Sequence, residues 1–234
     1  MKLAAVQFKA TRGDKPGTLT RLATLAMEAG RDADLVVLPE MAATGYVFPD
    51  REAILPVAET AKAETLAALA PAARENGCWI VCGLPENAEG RLFNSALIID
   101  PSGALHARYR KTLLYEADKT WAEPGDSGYL KVDTGRGTFT VGICMDLNDD
   151  RFVDWCRTCG SDVVAMPTNW LDEGLVVWHY WAWRMRRVSS VLVAANTYGT
   201  EGDITFSGRS AVLTRERVLA SAPYEGDCIV RASL

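Results

Sequence analysis

The sequence predicts an α/β chain folded as a four-layer αββα sandwich, and three observations carry that prediction. Apolar runs with strand character alternate with runs whose apolar residues recur at helical spacing. This layout occurs once in each half with no Pro/Gly/Ser-rich linker between, so residues 1–234 read as one domain. Two sheets that both need cover are served most economically by packing face to face with helices outside.

Taken in order, Leu3 to Phe8 alternates as a strand. Thr18 to Gly30 follows as a helix, with Leu19, Leu22, Ala23, Ala26 and Met27 at helical spacing and a glycine suited to its C-terminus. Asp34 to Pro39 reads as a buried strand. Ala58 to Asn76 is alanine-rich and helical, with Pro71 expected to kink or divide it and Gly77 to close it, and Trp79 to Leu84 is again a strand. Asn94 to Ile99 and Ala104 to Tyr109 read as strands joined by the turn Pro101-Ser102-Gly103. Tyr129 to Asp133 and Thr138 to Cys144 form a second hairpin across Thr134-Gly135-Arg136-Gly137. The second half has a helix from Asp150 to Cys159, a strand to Met166, a helix from Leu175 to Ser189 and a strand from Val191 to Asn196. A closing meander covers Thr205 to Thr214, Val218 to Ser221 and Cys228 to Ala232.

Composition narrows the function classes. With 48% hydrophobic and 24% charged residues, the 234-residue chain has the makeup of a protein with a large core. A net charge of -5 argues against general affinity for nucleic acid or anionic lipid, despite the local run Arg184-Met185-Arg186-Arg187. The first nine residues are too soon charged for a signal peptide, and no apolar stretch is long enough to span a bilayer, so a cytoplasmic protein is expected. Six cysteines are too few and too irregularly placed for a disulfide framework. Cys78, Cys82 and Cys228 read as small core hydrophobes. Cys156 and Cys159 form a CxxC with no second pair and only His106 and His179 elsewhere, so no metal is expected.

Strand ends carry the chemistry. Cys144 closes an apolar run and precedes the polar stretch Met145 to Asp150; Glu40 and Asn169 stand at the ends of two other strand-like runs. In a parallel sheet the loops beyond the carboxyl ends of the strands are where ligands collect, so these residues are expected to converge on one cleft.

These residues resemble a known family. Leu38-Pro39-Glu40 with Thr44-Gly45-Tyr46, then Tyr109-Arg110-Lys111, then Gly142-Ile143-Cys144-Met145-Asp146-Leu147 are similar in order and spacing to the Glu, Lys and Cys motifs of the nitrilase (carbon-nitrogen hydrolase) superfamily. Phe93-Asn94-Ser95, Glu123-Pro124-Gly125, Pro167-Thr168-Asn169-Trp170, Ala194-Ala195-Asn196 and Phe206-Ser207-Gly208-Arg209-Ser210 extend the likeness over nearly the whole chain. The resemblance implies an αββα fold of the nitrilase type, a Cys nucleophile working with Glu and Lys, no cofactor, and assembly at least into homodimers. It points to the amidase branches rather than to true nitrilases, with a small carboxamide as substrate and N-carbamoyl compounds as the alternative.

The chemistry fits these residue types on its own terms. An amide carbon is a poor electrophile and needs a strong nucleophile, which Cys144 provides as a thiolate. Glu40 is the expected base and Lys111 the charge that supports the anion; Lys111 and the Met145 backbone N–H are the expected oxyanion donors. The family's second carboxylate is a Glu a few residues before Pro-Gly. Here Asp118 stands at that place, a departure by one methylene, with Glu116 as its rival. Tyr46, Asn169 and Trp170 are candidate substrate contacts, with Trp121 and Trp178 close in sequence to the same motifs. Rival readings are a Cys-His enzyme using His106 or His179, a binding protein with a decayed site, and a redox or metal protein built on Cys156 and Cys159. Four tryptophans between Trp170 and Trp183 mark the Leu175 to Ser189 helix as a candidate subunit interface.

Overall fold

In the computed structural model, which describes residues 1–60 and 63–234, strands β1 (Lys2–Gln7), β2 (Leu35–Val37), β3 (Trp79–Ala88), β4 (Arg91–Ile99), β5 (Leu105–Arg110) and β14 (Cys228–Ser233) form one six-stranded sheet in the order β14-β1-β2-β3-β4-β5. The second sheet also has six strands, β6 (Lys131–Asp133), β7 (Thr138–Val141), β8 (Val163–Thr168), β9 (Val191–Asn196), β12 (Ala211–Leu213) and β13 (Val218–Ser221), in the order β13-β12-β9-β8-β7-β6. Each sheet has three parallel strands at its centre, β1-β2-β3 in one and β7-β8-β9 in the other, flanked by antiparallel neighbours.

Period-two alternation assigns the faces of the first sheet. Leu3, Ala5, Leu35, Val37 and Val81 point inward to a core shared with Phe139, Val141 and Val193 of the second sheet. Their neighbours Ala4, Val6, Val36, Ile80 and Cys82 point outward against helices α1 (Lys15–Gly30) and α3 (Glu64–Asn76) through Leu22, Ala26, Leu69 and Ala73. On the far side, α4 (Asp150–Cys159) and α5 (Val177–Arg184) cover the second sheet with Phe152, Cys156 and Trp181. The layers therefore run helix, sheet, sheet, helix, as the sequence predicts.

Local departures have local causes. α3 continues through Pro71 without a break and ends at Gly77, whose φ of 62° is the left-handed turn that glycine allows. It begins at Glu64; of the longer helix expected from Ala58, residues 61 and 62 lie outside the described residues. The expected helix from Leu175 is shorter, starting at Val177 and tightening into a 3-10 turn at Met185–Arg187. The expected single strand from Thr205 to Thr214 is two. β11 (Ile204–Ser207) pairs with β10 (Tyr198–Glu201) in a separate ribbon, and Gly208 and Arg209, both with positive φ, turn the chain into β12. The short helix α2 (Arg51–Ile54) and β10 have no clear sequence signal. No helix among the described residues is long and apolar enough to cross a membrane.

Candidate active site

Four side chains separated by up to 104 positions in sequence meet where the central strands end. Glu40 follows β2, Lys111 follows β5, Cys144 follows β7, and Asp118 opens a 3-10 turn at Asp118–Thr120; all four are buried. Lys111 Nζ lies 2.7 Å from Glu40 Oε1 and 2.6 Å from Asp118 Oδ2. Asn94 Nδ2 donates to the same two carboxylates, at 2.7 Å to Glu40 Oε1 and 3.1 Å to Asp118 Oδ1. The Asn169 backbone N–H donates to Glu40 Oε2 at 2.9 Å, and that of Tyr115 to Asp118 Oδ2 at 2.9 Å. Glu116 is instead exposed and paired with Lys119, so Asp118 is the second carboxylate of the cluster.

The turns that present these groups are tightly built. Cys144 has a φ of 45° and Met41, next to Glu40, a φ of 50°, conformations costly for residues with a Cβ and found where a site holds its backbone. Gly83 on β3 lets the Glu40 turn come close: a Cβ there would stand 2.5 Å from Glu40 Cα. Gly142 faces the edge of the Phe152 ring, where a Cβ would meet Cζ at 2.2 Å. Gly125 does the same for Lys111, since a Cβ would lie 2.1 Å from the Arg110 carbonyl while its own N–H donates to the Lys111 carbonyl at 2.8 Å. The Thr44-Gly45-Tyr46 segment is tied down by Glu201 on β10, whose carboxylate accepts the Tyr46 and Val47 N–H groups at 3.0 and 2.9 Å.

Electrostatics divide the work. Burial raises the Glu40 carboxyl above its ordinary value; Lys111 pulls it back and Asp118 pushes it up again. Burial opposes the charge of Lys111, yet Asp118 and Glu40 outweigh it and hold the ammonium well above the usual lysine range. Burial, reinforced by the Glu40 charge, pushes the Cys144 thiol up to about 12, although Lys111, the Thr168 hydroxyl and the Asn169 N–H favour its anion. Burial thus favours the neutral form of the Cys144 thiol, beside a carboxylate whose proton affinity is raised.

Above the thiol lies a cavity of about 220 Å³, lined by Cys144, Tyr46, Met145 and Trp170 among others. Three of the four expected contacts are thus at the cavity, and Asn169 is not. Its backbone holds Glu40 while the residue faces a small void behind that carboxylate. Trp121 and Trp178 also lie elsewhere. Trp121 packs with Met41, Tyr46 and Phe48, its backbone N–H donating to the Asp118 carbonyl, and the Trp178 indole donates to the Arg209 carbonyl. His106 stacks edge-on against Trp79, and His179 lines a neighbouring cavity rather than that of Cys144. The CxxC cysteines are free thiols, and among the described residues no cluster of three or more His, Cys, Asp or Glu has the arrangement of a metal site.

Three polar residues that organise the site stood in the sequence only as members of the matching motifs, with no role assigned to them. Asn94 sits in mid-strand, and only the pairing of β4 with β3 and β5 brings it beneath Glu40. Asp146 is buried under the Cys144 turn, where it accepts five hydrogen bonds, from Tyr109, Thr112 (two), Leu113 and Ile143. Asn196 accepts the Trp170 N–H at 2.8 Å and donates to Ser207 and Gly208, which joins three of the motifs noted in the sequence.

Comparison with known proteins gives the family and the fold. Residues 2–230 match the family model described as carbon-nitrogen hydrolase. A nitrilase of Pyrococcus abyssi is 32% identical, with 96% of this chain and 86% of that protein aligned. A protein N-terminal amidase of Schizosaccharomyces pombe is 27% identical over 91% of each chain. The crystal structure of an amidase from Nesterenkonia sp. has the same fold, with a TM-score of 0.83 at 22% identity over 100% of this chain and 90% of that one. The chain belongs to the carbon-nitrogen hydrolase family.

Proposed function

We propose that this protein is an amidase that releases ammonia from a small carboxamide through a thioester on Cys144, with Glu40, Lys111 and Asp118 as its other working groups. The observation that carries the reading is the buried Lys111 ammonium shared by two carboxylates directly below a thiol that opens to a cavity.

Each step follows from a group already described. Glu40 takes the Cys144 proton as sulfur bonds to the amide carbon. Negative charge gathers on the substrate oxygen, which Lys111 and the Met145 N–H meet; an oxyanion donor of this kind is worth about 3 kcal/mol. The protonated Glu40 gives its proton to the departing nitrogen, the C–N bond breaks and ammonia leaves. Water then attacks the thioester while Glu40 takes its proton; the C–S bond breaks, and the proton returns to sulfur. Asp118 keeps Lys111 charged throughout, so Glu40 is free to gain and lose its proton. No step calls for a cofactor.

The amidase relatives support a carboxamide over a nitrile, and N-carbamoyl compounds, whose hydrolysis uses the same groups, are the alternative. The reading takes residues 1–234 as a single domain, supported by the core shared between the sheets. It also takes the protein as a cytoplasmic homodimer without nucleic-acid or membrane partners. The exposed Leu175 and Trp183, beside and in α5, support self-association, which sedimentation at dilute concentration would contradict by showing only monomer. The deciding experiment is ammonia release from primary amides, terminal Asn and Gln peptides, N-carbamoyl amino acids and nitriles, on wild type and Cys144→Ala. Release that disappears in the variant is expected; release that persists would contradict the proposal.

A further inference from the structure

Given the amidase reading, on which this inference rests, the charge of the cavity wall bears on what the substrate carries beyond its amide. Four aromatic residues line the cavity above Cys144: Tyr46, Tyr115, Trp170 and Tyr180. Glu173 is the one charged side chain among the residues that line it. Lys111, the nearest buried cation, lies below and is already shared by Glu40 and Asp118.

Glu173 is free and yet held in place. It is exposed, and among the described residues its carboxylate makes no ion pair or hydrogen bond. Its neighbour Asp172 has taken the local partners: it accepts the Tyr224 hydroxyl at 2.5 Å and the Gly174 N–H at 3.0 Å, and its own N–H donates to the Thr205 carbonyl at 2.8 Å. Leu171 bridges to Phe206. Arg209, the cation beside Asp172, stacks on the Tyr224 ring at 4.6 Å. The loop is therefore pinned on either side of Glu173 while its carboxylate stays open at the cavity mouth. Glu173 also lines the adjoining cavity of about 400 Å³, so the charge stands between the thiol's chamber and the wider space outside.

Aromatic rings with one unpaired carboxylate and no unpaired cation make a surface for an ammonium group: the rings attract a cation through their faces and the carboxylate pairs with it. We infer that Glu173 selects amides carrying a cationic amine at the end remote from the scissile bond, with the ammonium seated between Glu173 and the Trp170 and Tyr180 rings. Those two rings lie 5.6 Å apart, and the Tyr180 hydroxyl is fixed by Asn148 at 2.8 Å, so the wall is set before the substrate arrives.

The test compares kcat/KM for ω-amino amides, from 3-aminopropanamide to 6-aminohexanamide, with that for alkyl amides in which a methyl replaces the ammonium and for amides ending in a carboxylate. Wild type should prefer the best cationic amide over its methyl counterpart by about tenfold, the scale of one partly exposed ion pair with a cation–π contact, and added salt should shrink the ratio. Glu173→Gln should bring the ratio close to one, and Glu173→Lys should turn the preference toward the carboxylate-bearing amide. A wild-type preference for the methyl amide, or a ratio that Glu173→Gln leaves unchanged, would overturn the inference. If no amide is hydrolysed at all, the amidase reading fails instead. Calorimetric binding of the same amides to Cys144→Ala and to Cys144→Ala/Glu173→Gln then decides the charge preference, with equal affinity for cationic and methyl amides counting against it.

Discussion

Glu40 and Asp146 are both buried carboxylates raised by burial, and they differ in what surrounds them. Asp146 accepts five hydrogen bonds from neutral donors, which join the chain just after Lys111 to the turn that carries Cys144. Glu40 accepts three, and one of them comes from an ammonium that Asp118 also holds. A carboxylate saturated by neutral dipoles fixes distances, and its charge has no reason to change. A carboxylate whose counter-ion is shared can take up a proton without leaving that counter-ion unpaired. The same residue class thus serves as a staple in one place and as a base in the other.

Substitutions that separate these two roles break or sharpen the contrast. The largest effect expected is for Glu40→Gln, which should lower kcat by about 10²- to 10⁴-fold, the range for a lost general base, while the melting temperature moves little. Asp146→Asn should act mainly on stability. Whichever way the amide turns, its NH2 faces two or three N–H and O–H donors, so about 3 kcal/mol should be lost in denaturant unfolding. If Asp146→Asn were as stable as wild type, or Glu40→Gln as active, the division would be wrong. Gly83→Ala is the smaller and more selective probe. Its Cβ, 2.5 Å from Glu40 Cα, would push the base off its position and lower kcat by about 10- to 100-fold, the scale for a displacement near 1 Å. Unchanged kinetics there would mean that the base tolerates displacement.

Glu40 and Cys144 were legible in the sequence because each ends an apolar run, and a run that stops at a polar group places that group at the edge of a sheet; Lys111 follows the mixed polar run Leu105 to Arg110 and was legible only through the resemblance of Tyr109-Arg110-Lys111 to the family's Lys motif. Asp118 was legible only through its spacing from Pro124-Gly125, and its contest with Glu116 is decided by burial, which spacing does not reveal. Asn94 stood in a matching motif, but its role was hidden because a polar residue in mid-strand looks alike whether its register neighbour is solvent or a carboxylate. Asp146 was hidden for a related reason: in Met145 to Asp150 the acidic residues read alike, and only the 3-10 turn at Cys144–Asn148 sends this one inward. The sandwich was legible from alternation and repetition. The crossing of β14 into the first sheet beside β1 was not, because strand pairing between the two chain ends leaves no local mark.

The most direct test of the shared counter-ion is the pH dependence of kcat/KM in wild type and Asp118→Asn. Glu40 must be ionised to take the Cys144 proton, so activity should fall as pH drops through its pKa, which in wild type lies above the ordinary 4.5. Asp118 contributes to that rise, and removing its charge leaves Lys111 to Glu40 alone. The acid limb should therefore move to lower pH in Asp118→Asn even as the rate falls; a limb that stays in place or moves to higher pH would contradict the account.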